Sequence, residues 1–327
     1  LTATCAAHAL GLAEGAPVPA GHDAPASALA AFAPLGARLK RSAPDAARAL
    51  LAAAVAKIAR AVDEAAHAHE FDASVPVVAL IHQVAREVWD YEVPKPVGLL
   101  GRYVMEPWWL RSYRGVRVIT DSPSSAESFV PYGIHGAHPL PIGAAPFEVP
   151  DLPKEAVPTV IFLARLVESK RPHHVVDAFA RVRQEFPDAQ LWMIGDGPYR
   201  SALEARAIPG VTIFGRVPFR EREERLVRAH VLAAASVREG WGLNVSEAAA
   251  CGTPTIGCRA PGLVDSVPAA GGVLVDPDPA AMGDALVRFF RGELAIEPKR
   301  EFVPWTDVAD AVEAHLMAAI SSARRAG

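Results

Sequence analysis

The sequence predicts an α/β protein of two doubly wound domains, and two observations support this. From about residue 157 onward, short β-rich runs alternate with helical patterns, which is typical of a parallel sheet wrapped by helices. The chain of 327 residues also exceeds the size of one ordinary domain. A proline-spaced segment over residues 147–153 is typical of a domain junction. We therefore predict an N-terminal domain over residues 1–150 and a C-terminal domain over residues 151–327.

The C-terminal domain is predicted to alternate strands with amphipathic helices. Apolar residues recur at helical spacing over Val175–Phe186 and Ala280–Phe290. A long amphipathic helix, Trp305–Arg325, is expected to cross back over the N-terminal domain. The predicted strands are Val160–Leu163, Leu191–Ile194, Val211–Phe214, Val231–Ala235, Thr255–Gly257 and Val273–Val275. Such a sheet binds its ligand at the carboxyl ends of its strands, so the loops that follow the strands should carry the site.

The N-terminal domain is predicted to be atypical or incomplete. Val77–Ile81 and Arg117–Thr120 are two apolar runs that indicate strands. Residues 1–70 contain alanine-rich stretches and a Gly/Pro-rich piece, Gly15–Pro25, without a convincing strand. That composition is typical of an atypical, partly disordered segment.

Composition excludes several classes of protein. A net charge of −4 argues against a general nucleic-acid binder, which would carry a basic excess. The three cysteines, Cys5, Cys251 and Cys258, show no C-x-x-C spacing, so neither a disulfide framework nor a structural zinc site is indicated. No apolar run reaches the length of a membrane helix. We expect a cytoplasmic protein, and its excess of alanine and arginine is typical of a GC-rich bacterial genome.

The strongest motif runs from Arg238 to Ala248 and continues into Cys251-Gly252-Thr253-Pro254. Glu239 falls in the loop after a buried strand, and Glu247 falls in the first turns of the next helix. Glycines at a strand-to-helix turn let the backbone approach a ligand, and a helix N-terminus suits a diphosphate. Carboxylates accept hydrogen bonds from sugar hydroxyls. The alternative is a solvated loop glutamate and a favourable charge near a helix N-terminus.

Three further loops follow predicted strands of the C-terminal domain. Arg165 and Lys170 lie five residues apart after the first strand and could clamp a diphosphate, although surface loops often carry two such cations. Gly195-Asp196-Gly197-Pro198 is predicted to form a tight turn after the second strand. Gly215-Arg216-Val217 follows the third strand and could present its backbone to a nucleobase.

Taken together, these motifs resemble glycosyltransferase family 4 in order and spacing. The resemblance is close over residues 158–290 and looser over Val77–Gly143. It implies the GT-B fold, made of two Rossmann-like domains. It also implies a retaining transfer of a sugar from a nucleoside-diphospho-sugar donor to an acceptor hydroxyl, with no cofactor and no bound metal. The acceptor would be a glycan, a lipid or a small molecule.

The resemblance also implies roles for individual residues. Arg165 and Lys170 would hold the diphosphate, and Glu239 would contact hydroxyls of the donor sugar. His82, which follows the strand Val77–Ile81, would line the sugar pocket from the N-terminal domain, unless it is simply a packed loop histidine. The residues expected at the nucleotide are Gly195, Val217 beside the base, Gly242, Leu243 and Asn244 at the phosphates, and Glu247 at the ribose.

Two features depart from the family or compete with it. The expected opening strand with a glycine-rich loop is not found in residues 1–70. This leaves the alternative of a truncated, non-catalytic homologue that binds nucleotide or supports a partner transferase; a nucleotide-sugar epimerase is a third reading. The triplet Asp276-Pro277-Asp278 is similar to a metal-binding D-x-D motif, but we predict a turn and a helix N-cap there.

The segment Leu99–Arg114 is rich in aromatic and basic residues. It could lie on a membrane surface, which would place the protein peripherally at the inner face of the membrane, or face a lipid-linked acceptor. We favour the simpler interpretation, a core helix with solvated arginines.

Overall fold

The computed structural model describes residues 76–140, 142, 149–300 and 303–326. The predictions for residues 1–70 therefore lie outside the described residues. Two separate parallel sheets make up the described part, with the strand orders β1-β2-β3 and β6-β5-β4-β7-β8-β9. The predicted fold class is confirmed, whereas the division of the chain at residue 150 stays a prediction.

The first sheet contains both strands that were predicted for the N-terminal domain. They are β1, Val78–Leu80, and β2, Arg117–Thr120, and a short β3, His138–Pro139, joins them in parallel. The surrounding helices are α1, Trp89–Glu92; α2, Lys95–Leu100; α3, Glu106–Arg111; and α4, Pro123–Ser128. The core of this unit is formed by Val84, Leu110, Val118, Phe129, Tyr132 and Ile134.

The second sheet contains all six strands predicted from the β-rich runs. They are β4, Thr159–Leu163; β5, Gln190–Ile194; β6, Val211–Gly215; β7, Val231–Ala234; β8, Thr255–Cys258; and β9, Val273–Val275. Its helices are α5, Pro172–Glu185; α6, Arg200–Ala205; α7, Phe219–Arg228; α8, Leu243–Ala250; α9, Leu263–Ala269; and α10, Pro279–Phe290. The final helix is α11, Trp305–Ala326.

Helices cover both faces of the second sheet, as its strand pattern requires. Val160 and Phe162 of β4 pack with Phe179 of α5 on one face, whereas Ile161 packs with Val245 of α8 on the other. Because both faces are buried, the strands are apolar at successive positions rather than alternately. Asp278 accepts a hydrogen bond from the amide of Ala281, 3.0 Å away, which confirms the predicted N-cap of α10.

The order of the second sheet creates a switch point at β4. The chain runs outward from β4 through β5 to β6 and then returns to the other side of β4 to form β7. The loops that leave β4 and β7 therefore diverge from neighbouring strand ends and leave a crevice, which is where open parallel sheets bind ligands.

The segment 95–111 differs from the predicted core helix. It forms α2, one wide turn over Gly101–Met105, and α3, and it buries only one side. Val97, Met105 and Leu110 face the interior. Four large apolar side chains on the other side are 52–63% exposed, and we call them the exposed stripe: Leu99, Tyr103, Val104 and Trp108.

Candidate functional site

An ion pair joins the two loops that flank the switch point. Lys170, at the end of the turn Glu168–Lys170 after β4, donates from its Nζ to Oε1 of Glu239 in the loop after β7. Ser236 Oγ donates to the same oxygen over 2.6 Å. The side chains of Lys170 and Glu239 are each 15% exposed. The structure thus brings together two residues predicted for the diphosphate and the sugar.

The backbone around Glu239 passes where only glycine fits. Gly242 has a φ of +103° and begins α8. Gly262 has a φ of +80°, and a Cβ there would lie 2.3 Å from the carbonyl oxygen of Glu239. The amide Nδ2 of Asn244 donates over 2.9 Å to the carbonyl of Leu163, the last residue of β4. The start of α8, with Leu243 and Asn244, is therefore held at the switch point.

Arg165 and Gly195 meet at the ends of β4 and β5. Arg165 is exposed in the loop after β4. Gly195 has a φ of +138°, and a Cβ there would lie 1.8 Å from the carbonyl oxygen of Ala164. Its own amide donates to the carbonyl of Gly215 over 2.8 Å. Gly195 therefore lets the turn after β5 pack directly against the loop that carries Arg165.

Glu247 lies on α8, on the side that meets α7. Its Oε1 is 3.1 Å from an Nη of Arg222, whose guanidinium lies 4.5 Å from the centre of the Phe219 ring. Burial raises the pKa of Glu247, and the positive charge of Arg222 opposes that rise. Val217, predicted to lie beside the base, is half-buried against the core of this face.

His82 and Asp121 come from the first sheet and reach the same region. His82 Nδ1 lies 3.0 Å from both carboxylate oxygens of Asp121. A Cβ on Gly240 would lie 2.6 Å from Oδ2 of Asp121, so this pair packs against the residue next to Glu239. The His82 side chain is 69% exposed.

The two units are also tied together beside the site. Arg238 is buried and donates to Glu87 over 2.7 Å and to Ser128 Oγ over 3.0 Å. Ser124 Oγ accepts from the amide of Gly262 over 2.7 Å. Sequence reasoning did not single out Ser236, Asp121, Arg222 or Arg238 for these contacts, although Arg238 opens the strongest motif.

Metal ligation has no obvious place in this arrangement. In residues 76–140, 142, 149–300 and 303–326, no group of three or more His, Cys, Asp or Glu side chains is close enough together to hold a metal ion. The expectation that transfer needs no metal stays a prediction.

Comparison with known families supports the assignment of this site. Residues 157–291 match the family model described as "Glycosyl transferases group 1". One protein of the phosphatidylinositol N-acetylglucosaminyltransferase of Arabidopsis thaliana is 27% identical over 172 residues, which cover 49% of this chain and 38% of the relative. 2-Deoxystreptamine glucosyltransferase of Streptomyces kanamyceticus is 30% identical over 182 residues, which cover 50% of this chain and 47% of the relative. The chain thus spans less than half the length of these relatives.

Solved structures show the same fold. The Staphylococcus aureus protein TarM matches with a TM-score of 0.55 at 15% identity, covering 75% of this chain and 46% of that protein. An Anabaena protein, HepE, solved in complex with UDP and glucose, matches with a TM-score of 0.51 at 16% identity, covering 85% of this chain and 71% of that protein.

The chain therefore has the fold of the GT-B glycosyltransferases. Its residues 157–291, which contain the Lys170–Glu239 pair, are a domain of the glycosyl transferases group 1 family.

Proposed function

We propose that this protein is a retaining glycosyltransferase that moves a sugar from a nucleoside-diphospho-sugar to an acceptor hydroxyl. The observation that carries the proposal is the Lys170–Glu239 pair at the switch point of a group 1 domain. A cation and a carboxylate held side by side match a ligand in which a diphosphate adjoins a sugar. In the bound state the ammonium of Lys170 contacts the diphosphate, and the carboxylate of Glu239 accepts from sugar hydroxyls.

The proposed chemistry needs no side chain as a base. The bond between the anomeric carbon and the diphosphate oxygen breaks, and the acceptor oxygen bonds to the same face of that carbon. The proton of the acceptor hydroxyl passes to the departing diphosphate. Lys170, Arg165 and the start of α8 stabilise the negative charge that the leaving group develops, which is where preorganised cations contribute most to the rate.

The nucleotide extends from the switch point toward β6 in this proposal. Glu247 accepts from the ribose hydroxyls, and the backbone of Gly242, Leu243 and Asn244 meets the phosphates. Gly195 keeps the diphosphate side open, and Val217 lies beside the base. The pairing of Glu247 with Arg222 supports an acceptor that is already oriented between α7 and α8.

A test of nucleotide binding separates this proposal from its alternatives. Thermal unfolding is followed with UDP, GDP, ADP and dTDP, since a ligand bound only by the folded state raises the Tm. We expect a selective rise that Lys170→Ala abolishes and that Lys299→Ala, a change of another exposed lysine, leaves intact. Binding without transfer to any acceptor would favour the non-catalytic homologue, and release of free epimerised sugar would indicate an epimerase. No rise with any nucleotide would refute the donor site.

For the acceptor we propose a lipid-linked molecule presented at an anionic membrane surface. The exposed stripe is flanked by three exposed cations, Lys95, Arg111 and Arg114. The one acidic residue between positions 93 and 117 is Glu106, and it is buried. Aromatic and aliphatic side chains among cations, without exposed acids, suit the interface of an anionic bilayer.

Two further observations bear on that acceptor. In the described part of the chain, no helix is both long and apolar enough to cross a bilayer. A relative from Mycobacterium tuberculosis, 33% identical over 137 residues, is named a GDP-mannose-dependent phosphatidylinositol dimannoside mannosyltransferase. On this proposal the enzyme works in the cytoplasm, peripherally at the inner face of the membrane.

Vesicle binding tests the lipid surface directly. We expect the protein to sediment with vesicles that contain phosphatidylglycerol, and to do so less as salt is raised. The double variant Tyr103→Ser, Trp108→Ser should lose this binding. The matched control Leu316→Ser, Met317→Ser removes exposed apolar side chains of α11 and should retain it. Equal loss in both double variants, or no binding of the wild type to these vesicles, would overturn the proposed surface.

A further inference from the structure

The contact between His82 and Asp121 follows directly from the topology of the first sheet. β1 and β2 are neighbouring parallel strands, with Leu80 opposite Ile119. The residues just beyond their carboxyl ends, His82 and Asp121, therefore emerge side by side. The hydroxyl of Thr120 donates to the carbonyl of His82 over 3.1 Å and fixes the backbone on which the ring is mounted.

The geometry of the pair determines which ring nitrogen carries hydrogen. His82 Nδ1 lies 3.0 Å from both Oδ1 and Oδ2 of Asp121. An ionised carboxylate only accepts hydrogen bonds, so Nδ1 must donate. In the neutral imidazole the other nitrogen, Nε2, then keeps its lone pair and is an acceptor.

The pair lies beside the proposed sugar position. Asp121 packs against Gly240, where a Cβ would lie 2.6 Å from the carboxylate and 3.1 Å from the carbonyl oxygen of His82. Ser125 Oγ donates to the carbonyl of Gly240 over 3.2 Å and holds the same contact. Since Gly240 directly follows Glu239, the imidazole and the Glu239 carboxylate border one space, and the exposed ring is accessible from it.

We propose that Asp121 is a positioning residue that holds His82 with Nε2 free to accept a hydrogen bond from a hydroxyl of the bound donor or acceptor. Asp121 does not touch the substrate itself. The inference rests on the proposed glycosyl transfer, because that function supplies the hydroxyl. It assigns to the first sheet a hydrogen-bond acceptor that complements the carboxylate of Glu239 in the second unit.

The first test reads the tautomer without any substrate. In ¹⁵N NMR spectra of the whole chain above the titration range of imidazole, we expect His82 to carry its hydrogen on Nδ1. Asp121→Ala removes the acceptor, so the hydrogen should move largely to Nε2. Ser125→Ala breaks a neighbouring contact to Gly240 and leaves the carboxylate in place, so the wild-type tautomer should persist. An unchanged tautomer in Asp121→Ala would overturn the proposal.

The second test asks whether transfer uses this arrangement. His82→Ala and Asp121→Ala should each lower kcat for transfer by roughly tenfold to a hundredfold, the cost of one well-placed hydrogen bond. The double variant should be no slower than His82→Ala alone, because Asp121 acts through His82. Nucleoside diphosphate binding should be unchanged in both single variants. Multiplicative losses in the double variant would overturn the positioning role.

The two proposals fail in different ways. A wild-type protein that neither binds a nucleotide nor transfers sugar would refute the proposed function, while the tautomer would still show whether Asp121 holds the ring. A normal rate in Asp121→Ala beside a slow His82→Ala would refute the positioning role and leave glycosyl transfer intact.

Discussion

Arg238 and Glu87 form a buried connection between the two units, 2.7 Å from Nε to Oε2, although 151 residues separate them in the chain. Arg238 is 3% exposed, and it directly precedes Glu239. The same guanidinium holds Ser128. The loop that carries Glu239 is therefore anchored in the N-terminal unit by its own neighbour.

Replacing Arg238 by alanine should destabilise the protein by about 1–3 kcal/mol. Broken buried ion pairs cost about 3–5 kcal/mol, and we expect less here because Glu87 retains access to water. Urea unfolding of Arg238→Ala and of the control Arg220→Ala, whose side chain is 88% exposed, measures the difference. Equal stability of the two variants would mean that the connection contributes nothing.

Acid should act on the same pair. Burial alone raises the pKa of Glu87, but the hydrogen bond and charge of Arg238, with the Glu87 backbone amide, bring it below the ordinary 4.5. A carboxyl with a lowered pKa in the folded state stabilises the protein above its unfolded pKa, and this contribution is lost as pH falls through the folded pKa. The gap in stability between wild type and Arg238→Ala should therefore narrow below about pH 4.5.

Removing the Lys170 ammonium should slow transfer without unfolding the protein. We expect Lys170→Ala to lower kcat by about 100- to 1,000-fold, the range found when one preorganised charge-stabilising group is lost. Lys299→Ala should turn over like the wild type. Initial rates with a saturating donor give both values, and a rate for Lys170→Ala close to that of Lys299→Ala would contradict the role of Lys170.

A methyl group at Gly240 should disrupt the meeting of the two units rather than the backbone. Its new Cβ would lie 2.6 Å from the Asp121 carboxylate, although the φ of Gly240 is not in the left-handed region. Gly115→Ala is the converse control, since it has a φ of +81° and no atom within 4 Å of its Cβ. We expect Gly240→Ala to lose transfer and Gly115→Ala to lose only about 1–2 kcal/mol of stability. Full transfer by Gly240→Ala would show that the contact is dispensable.

The C-terminal helix should release stability as the pH falls. His315 of α11 stacks on His138 of β3 with ring centres 4.6 Å apart, and Arg117 Nη contacts both rings. Burial lowers the pKa of His315 below 6.5, and the neighbouring His138 and Arg117 lower it further. The unfolded chain then binds the proton more readily, so folded stability should decline from about pH 6.5 downward. His315→Gln should flatten part of this decline in Tm, whereas an identical pH profile would exclude His315 as its source.

Much of this architecture was predictable because the responsible forces are local. The apolar runs at β4 and β7 could be recognised since both faces of that sheet are buried. Helix α5 begins at Pro172, three residues before the predicted Val175, because proline at the first helical turn is favourable although it adds nothing to the apolar period.

The missed features depend on what lies beside each element in space. The contact of His82 with Asp121 requires β1 and β2 to be neighbours, and apolar periodicity does not specify strand order. The exposed stripe was assigned to the core because a sequence shows that Trp108 is apolar but not whether another element covers it. The pairing of Arg222 with Glu247 depends on how α7 and α8 are rotated against each other.

The neutralised pair at the switch point makes the site selective for a compound ligand. A free phosphate compound that drew Lys170 away would strand the Glu239 carboxylate, and a free sugar that drew Glu239 away would strand the ammonium. Each half ligand must therefore leave one charge poorly compensated, at a cost. Only a molecule that joins the two halves compensates both charges at once, so the intact donor should outcompete a mixture of its own fragments.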